Sequence, residues 1–119
     1  MSTAKGKQAE DAACKYLEKQ GYQVVERNRR LGRGELDIIA TLDDILAFVE
    51  VKGHQHRTSS IEAMHYDKQQ RMVSAAQTWL GQHPDYMNHQ CRFDLVIVTP
   101  SPIKILPPNI EHIHDIIRL

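Results

Sequence analysis

Residues 35–52 constrain the fold more than any other part of the sequence, because they predict a β-hairpin whose register can be counted. Apolar and polar residues alternate from residue 35 to residue 42, which is the two-residue repeat of a strand. Residues 45–52 form a second strand that is apolar enough to be central in a sheet. Asp43-Asp44 has the length of a tight turn between them, although it lacks the glycine that such turns prefer. The segment therefore predicts two neighbouring antiparallel strands.

Two other segments show the repeat of an amphipathic helix. The first covers roughly residues 4–20, and Gly21 suits its C-terminus. The second opens at a capping box in Ser59–Glu62 and ends at Gly81. We expect one buried stripe on this second helix, formed by Gln69, Met72, Val73, Ala76, Trp79 and Leu80.

Further strands are predicted on both sides of the hairpin. Residues 22–28 form a first strand, and a basic, glycine-bearing connection over residues 29–34 joins it to the hairpin. Residues 93–98 form a fourth strand, and Ile103–Leu106 is a candidate fifth. From Asn109 the sequence fits either a helix or an extended start. The order α-β-β-β-α-β predicts an α/β fold with a mixed central sheet flanked by helices.

Composition fits one domain that covers residues 1–119. With 41% hydrophobic and 25% charged residues, the sequence excludes a disordered chain. No apolar run is long enough to span a membrane, and the N-terminus lacks the apolar region of a secretory signal. We therefore expect a cytoplasmic protein with no membrane partner. Cys14 and Cys91 are too few for a disulfide framework and are expected to be reduced thiols.

The formal net charge is zero, which argues against nucleic-acid binding by the whole surface. The charges are nevertheless segregated. Residues 35–50 contain five acidic residues and no basic one, while the segments on both sides are basic. Solvated faces alone can produce this pattern. The alternative is a cation site edged by phosphate-binding residues.

Counting through the hairpin turn pairs residues across the two strands. The register places Asp37 opposite Glu50 and, two residues along, Glu35 opposite Lys52, all on one face. Two opposed carboxylates repel each other unless a cation such as Mg²⁺ lies between them. Lys52 could then hold a water molecule or neutralise a phosphate. Taken alone, however, a Glu-x-Lys pattern on a strand is more often a surface ion pair.

Two further polar residues are candidates for the same site. Glu10 flanks the apolar stripe of the first helix, so it either reaches the sheet edge or points to solvent. Gln69 lies on the apolar face of the second helix, where its amide needs a partner. That partner can be a ligand or a backbone group.

Several short motifs together resemble a known pattern. Asp37 followed by Glu50-Val51-Lys52 resembles the PD-(D/E)XK nuclease superfamily and is similar to archaeal Holliday junction resolvases. A closer resemblance is to the YraN-like family of small bacterial proteins. It spans roughly residues 4–98 and is carried by motifs in that family's order and spacing, which are Gly6–Glu10, Gly34–Ala40, Phe48–Lys52, Lys68–Arg71 and Arg92–Val96.

The resemblance implies a restriction-endonuclease-like core and a set of site residues. Asp37 and Glu50 would be metal ligands, the carbonyl of Val51 a further ligand, and Lys52 the catalytic lysine. The resemblance also implies Glu10 as an additional carboxylate and Gln69 as a helix residue that faces the site. The chain departs from the pattern after the lysine, where Gly53-His54 replaces the threonine or serine and arginine that the family often has.

These features predict a Mg²⁺- or Mn²⁺-dependent phosphodiesterase that acts on DNA. No helix-turn-helix or zinc module is visible, so selection would be for DNA structure, such as a branched or single-stranded substrate. A non-catalytic module that binds DNA or a repair partner is the alternative, and a symmetric substrate would favour a homodimer. The expected phosphate contacts are Arg29, Arg30, Arg33, Lys68 and Arg71.

Overall fold

The structure is a computed structural model that describes residues 4–53 and 64–117. Its elements follow the predicted order, with a short 3-10 turn (Pro84–Tyr86) before the fourth strand. The elements are α1 (Ala4–Lys19), β1 (Gln23–Leu31), β2 (Gly34–Leu42), β3 (Ile45–Gly53), α2 (Tyr66–Gln82), β4 (Gln90–Thr99) and β5 (Asn109–Ile113). The predicted α/β class and α-β-β-β-α-β core are confirmed.

The five strands form one mixed sheet in the order β1-β2-β3-β4-β5. Only the β3–β4 pair is parallel in this sheet, and its connection contains α2. Alternate residues of β3 enter two separate core layers: Phe48 packs with Trp79 of α2, whereas Val49 packs with Leu17 of α1. The two helices therefore cover opposite faces of the sheet, as the apolar stripes of both helices require.

The predicted hairpin register is confirmed from Leu42↔Ile45 to Ile38↔Val49. Asp43 takes the turn position that glycine usually occupies, with a left-handed φ of 54°. The β2–β3 ladder ends at Ile38, and at the next residue the Asp37 carboxylate accepts a hydrogen bond from the backbone N–H of Val51 at 2.9 Å. A side chain thus replaces a ladder hydrogen bond where the two strands separate.

The simple alternation predicted for residues 35–42 is wrong at this point of separation. Leu36 and Ile39 both enter the layer under α2, although a strict two-residue repeat would place them on opposite faces. On the neighbouring strand, Asn28 lies between the pairs Arg27↔Ile38 and Arg29↔Leu36 and has a φ of 54°. Both strands are therefore irregular beside Asp37. As a result, the Asp37 side chain does not have to follow the regular alternation of the sheet.

Gly34 allows α2 to approach the start of β2. A Cβ atom at this position would overlap the carbonyl oxygen of Arg71 and crowd Ala75. Only glycine therefore permits this packing, which brings the first turns of α2 over the start of the hairpin.

Two predicted connections differ from the structure. The strand predicted over residues 22–28 continues to Leu31, so Arg29 and Arg30 belong to β1, and the turn is Gly32-Arg33. The register with β2 extends across the basic segment, and the left-handed φ of 60° at Gly32 closes the turn.

The candidate fifth strand at Ile103–Leu106 is wrong. This segment is a turn that leaves Ile105 90% exposed, and β5 begins instead at Asn109. Proline lacks the N–H that a strand ladder needs, and prolines stand on both sides of the segment. Of the two alternatives for the tail, the extended start is confirmed, and residues 109–113 pair antiparallel with β4.

The second helix is described from Tyr66, so the capping box in Ser59–Glu62 lies outside the described residues, as does His54. Cys14 and Cys91 are both free cysteines. Within the described ranges, no helix combines the length and apolarity that crossing a bilayer requires. The buried residues of α2 largely follow the predicted stripe and are Met72, Val73, Ala75, Ala76 and Trp79.

Candidate functional site

A cavity of about 290 Å³ lies where β2 and β3 separate beneath the first turns of α2. Three carboxylates line it, those of Glu35, Asp37 and Glu50. Four basic side chains surround them, and these are Arg30, Arg33, Lys68 and Arg71. The structure therefore gathers most of the predicted site residues around one polar cavity.

The carboxyl group of Asp37 has a strongly raised pKa. Burial, followed by the negative charge of Glu50, raises the pKa of Asp37 from 3.8 to about 8. The hydrogen bond from the Val51 N–H opposes this increase and fixes one carboxylate oxygen. When two carboxyl groups lie close together and are shielded from water, their charged forms repel each other. A nearby cation offsets this repulsion.

Glu50 is buried and has two lysines as neighbours. Its Oε1 atom lies 2.8 Å from Nζ of Lys68 and 3.8 Å from Nζ of Lys52. Burial and the proximity of Lys68 lower the pKa of Lys52. Burial would also lower the pKa of Lys68, but the Glu50 carboxylate raises it above its usual value. One buried carboxylate is thus shared by two ammonium groups.

Glu10 approaches the same region from α1. Its side chain is 8% exposed, and its Oε1 atom lies 3.6 Å from Nη2 of Arg27. The Glu10 charge contributes to the raised pKa of Asp37, after burial and Glu50. Arg27 also donates a hydrogen bond to Asp11 at 2.7 Å. The predicted additional carboxylate is therefore close enough to influence Asp37 and is held by an arginine.

Gln69 has a backbone partner in the structure. Its Nε2 atom donates a hydrogen bond to the carbonyl oxygen of Met64 at 2.7 Å, and the residue is absent from the lining of the cavity. The sequence left open whether the partner of the Gln69 amide is a ligand or a backbone group, and the structure shows a backbone group. A direct role of Gln69 in the site stays a prediction.

The other predicted residues divide between the cavity and the surface. Glu35 lines the cavity 3.8 Å from Arg30, its ladder partner in β1. Arg29 does not line the cavity; it donates hydrogen bonds to Glu26 at 3.3 Å and to Gln82 at 3.0 Å. Because β1 continues to Leu31, Arg29 and Arg30 are strand residues with different surroundings. The prediction of a single basic loop could not distinguish the two.

Sequence reasoning missed a second buried polar network on the other face of the sheet. Asp94 is fully buried and accepts hydrogen bonds from Arg92 at 2.8 Å and from Nε2 of His112 at 2.7 Å. Nδ1 of His112 in turn forms a hydrogen bond with the Tyr16 hydroxyl at 3.2 Å. Although burial alone would raise the pKa of Asp94, the His112 and Arg92 hydrogen bonds hold it below 3.8.

This network joins elements that are distant in the sequence. His114 lies beside it, and its ligand nitrogen is within 4.8 Å of ligand atoms of Asp94 and His112, an arrangement in which three side chains could hold a metal ion. The Asp94 oxygens already accept from a guanidinium, an imidazole and the backbone N–H of Asp115. The contacts therefore favour a structural role, tying β4, β5 and α1 together. The sequence signal for this network was the Arg92–Val96 motif.

Comparison with known proteins gives one consistent family. Residues 9–98 match the model described as "Uncharacterised protein family UPF0102". A UPF0102 protein of Magnetococcus marinus is 43% identical over 95 residues, which cover 78% of this chain and 77% of that protein. A UPF0102 protein of Rhodopseudomonas palustris is 38% identical over 96 residues, covering 81% and 74% of the two chains. A UPF0102 protein of Pseudomonas aeruginosa is 35% identical over 116 residues, covering 96% and 92%.

Proposed function

The chain belongs to the UPF0102 family, and from the geometry of its site we propose that it is a metal-dependent DNA endonuclease of the PD-(D/E)XK superfamily. The observation that carries this proposal is the pair of carboxylates, Asp37 and Glu50, that line one cavity. Lys52 is not part of the lining, but its Nζ atom lies 3.8 Å from Oε1 of Glu50. The proposal also includes the predicted likeness to archaeal Holliday junction resolvases.

The donor set fits a small divalent cation. Mg²⁺ and Mn²⁺ prefer carboxylate, carbonyl and water oxygens, and Asp37 and Glu50 supply carboxylate oxygens on adjacent strands. The raised pKa of Asp37 supports this fit, because part of it comes from the charge of Glu50. Asp37, Glu50 and the carbonyl of Val51 would hold the ion. A bound Mg²⁺ or Mn²⁺ supplies Lewis-acid polarisation of the phosphate and lowers the pKa of an attacking water molecule.

The residues of the chain itself supply positioning and charge. The N–H of Val51 orients the carboxylate of Asp37. Lys52 faces the same region and would stabilise the negative charge that develops on the phosphate during attack. Arg30, Arg33 and Arg71 line the cavity and would hold neighbouring phosphates of the DNA strand. Phosphate contacts carry no base information, so we expect selection for a branched or single-stranded structure rather than for a sequence.

The second candidate is a non-catalytic module that binds branched DNA or a repair partner with the same surface. The basic residues around the cavity would serve either function, but the Asp37–Glu50 pair favours the nuclease. Two negative groups beside a phosphate weaken DNA binding unless a cation screens them.

A cleavage panel separates the two functions. Single-stranded, flapped and four-way DNA would be incubated with wild type, Asp37→Asn and Lys52→Ala in Mg²⁺, in Mn²⁺ and in EDTA. We expect cleavage of at least one structure by wild type with either metal, no cleavage in EDTA, and strong loss in both variants. Tight binding of branched DNA with no cleavage under any condition would favour the binding module. Cleavage that Asp37→Asn retains would place the active site elsewhere.

A further inference from the structure

The shortest ion pair in the cavity involves a lysine from α2 rather than the lysine of the Glu-x-Lys motif. Nζ of Lys68 lies 2.8 Å from Oε1 of Glu50, whereas Nζ of Lys52 lies 3.8 Å from the same oxygen. The Glu50 side chain is only 8% exposed, so this contact neutralises a carboxylate that is largely removed from water. An unpaired charge at that position would be costly, which gives the contact a strong physical reason.

The contact occupies a carboxylate that the proposed function requires for a metal ion. Oε1 of Glu50 already has an ammonium group at hydrogen-bond distance, and a divalent cation that coordinates this oxygen would have to displace it. An ammonium ion and a divalent cation also repel each other at such short range. Lys68 and the metal are therefore alternative partners of Glu50.

Lys68 is placed so that it can leave without disturbing the fold. It lies in the first turn of α2, its side chain is 30% exposed, and its four-carbon stem is flexible. The Lys52 side chain has a stem of the same kind, but its Nζ atom lies 3.8 Å from Oε1 of Glu50, beyond the distance of a direct hydrogen bond. Of the two lysines, Lys68 is therefore the one that a cation coordinating this oxygen has to displace.

We propose that Lys68 is an exchangeable counter-ion of Glu50, which occupies the carboxylate before a divalent cation binds and is released when the cation arrives. The inference rests on the proposed metal-dependent function. Released from Glu50, the ammonium group remains at the wall of a cavity lined by Arg30, Arg33 and Arg71, where it can contact a DNA phosphate. Metal binding would therefore increase DNA affinity through Lys68, in addition to screening the carboxylates.

Titration calorimetry with MnCl₂ on the full chain tests the exchange. Lys68→Met keeps the length of the side chain and removes the charge, and Arg71→Met is the matched control because it removes another positive charge from the cavity lining. We expect Lys68→Met to bind Mn²⁺ on the order of tenfold more tightly than wild type, the scale of one charge-assisted hydrogen bond. Arg71→Met should change the affinity much less. Circular dichroism verifies folding, and Lys68→Gln replaces Lys68→Met if the latter is unfolded.

The outcomes separate this inference from the proposed function. Equal or weaker Mn²⁺ binding by Lys68→Met, with clear binding by wild type, would overturn the exchange and leave the metal site intact. A gain in Arg71→Met as large as that in Lys68→Met would also overturn it, because the effect would then be one of general charge. If neither wild type nor Lys68→Met binds Mn²⁺, both the exchange and the metal-dependent function are wrong.

Fluorescence anisotropy with a labelled flapped DNA tests the second step. Ca²⁺ is the probe cation, because it offers an oxygen-coordinating divalent charge in place of Mg²⁺. Wild type should gain DNA affinity when Ca²⁺ is added, and Lys68→Met should gain several-fold less. An equal gain in the two proteins would contradict the transfer of Lys68 from Glu50 to DNA.

Discussion

Replacing Asp37 by asparagine should stabilise the metal-free protein while removing its response to divalent cations. The amide oxygen of asparagine can still accept the hydrogen bond from the Val51 N–H, so the local geometry is retained. What disappears is the ionisable group beside Glu50. Substitutions at a site built for a ligand often stabilise the free protein, because the unliganded site stores repulsion.

The magnitude follows from the pKa of Asp37, which burial and Glu50 raise from 3.8 to about 8. Between these values the native protein keeps a proton that the unfolded chain has released, so the free energy of unfolding falls as pH rises. Each pH unit in this interval costs at most about 1.4 kcal/mol. Because the site is partly solvated, we expect a smaller total, on the order of 2–3 kcal/mol between about pH 5 and pH 8. Asp37→Asn should lack this loss.

Urea denaturation in EDTA at about pH 5 and pH 8 measures the effect, with Asp44→Asn as the control because Asp44 is an exposed carboxylate in the hairpin turn. The stability of Asp37→Asn relative to wild type should increase with pH, and that of Asp44→Asn should not. Added Mg²⁺ should restore the stability of wild type at about pH 8 and have little effect on Asp37→Asn. Parallel pH curves for wild type and Asp37→Asn would refute the reasoning, as would an equal response of both proteins to Mg²⁺.

Three further predictions concern the same region. Lys52→Ala keeps both carboxylates, so it should retain Mn²⁺ binding in calorimetry while single-turnover cleavage falls by on the order of 10²-fold or more; cleavage at the wild-type rate would contradict the role given to Lys52. Replacing Arg30, Arg33 and Arg71 together by alanine should flatten the dependence of DNA affinity on salt by roughly two to three units of slope in anisotropy titrations, and an unchanged slope would exclude these side chains as phosphate contacts. Gly34→Ala places a methyl group against the backbone of α2 and should lower the free energy of unfolding by about 2 kcal/mol or more in urea; a variant of wild-type stability would show that α2 is not held closely against β2.

Local patterns predicted the element order and the hairpin register well. The two-residue repeat and the length of the Asp43-Asp44 turn determine which residues face each other, and the structure confirms this register from Leu42↔Ile45 to Ile38↔Val49. The register therefore predicts from sequence alone that Asp37 and Glu50 lie near each other. It could not show that the ladder ends there, because that depends on a contact between a side chain and the backbone.

Packing between distant segments could not be predicted from local sequence patterns. The Lys68–Glu50 ion pair depends on how α2 lies over the sheet, which the close approach at Gly34 determines. Composition also misled the prediction of the fifth strand, since the apolar residues of Ile103–Leu106 lie between prolines and have no described strand partner. The Lys68–Glu50 contact joins segments that are far apart along the chain, whereas the failure of the fifth strand has a local cause in the prolines beside it.

The function depends most on the claim that Asp37 and Glu50 together hold one divalent cation. Anomalous diffraction from crystals soaked in MnCl₂ tests this claim directly, because it locates the ion without reference to activity. If the two carboxylates share one ion, the anomalous difference map should contain one strong peak in the cavity, roughly 2 Å from carboxylate oxygens of both Asp37 and Glu50. A peak at Asp94, His112 and His114 instead, or no peak in the cavity at saturating Mn²⁺, would contradict it.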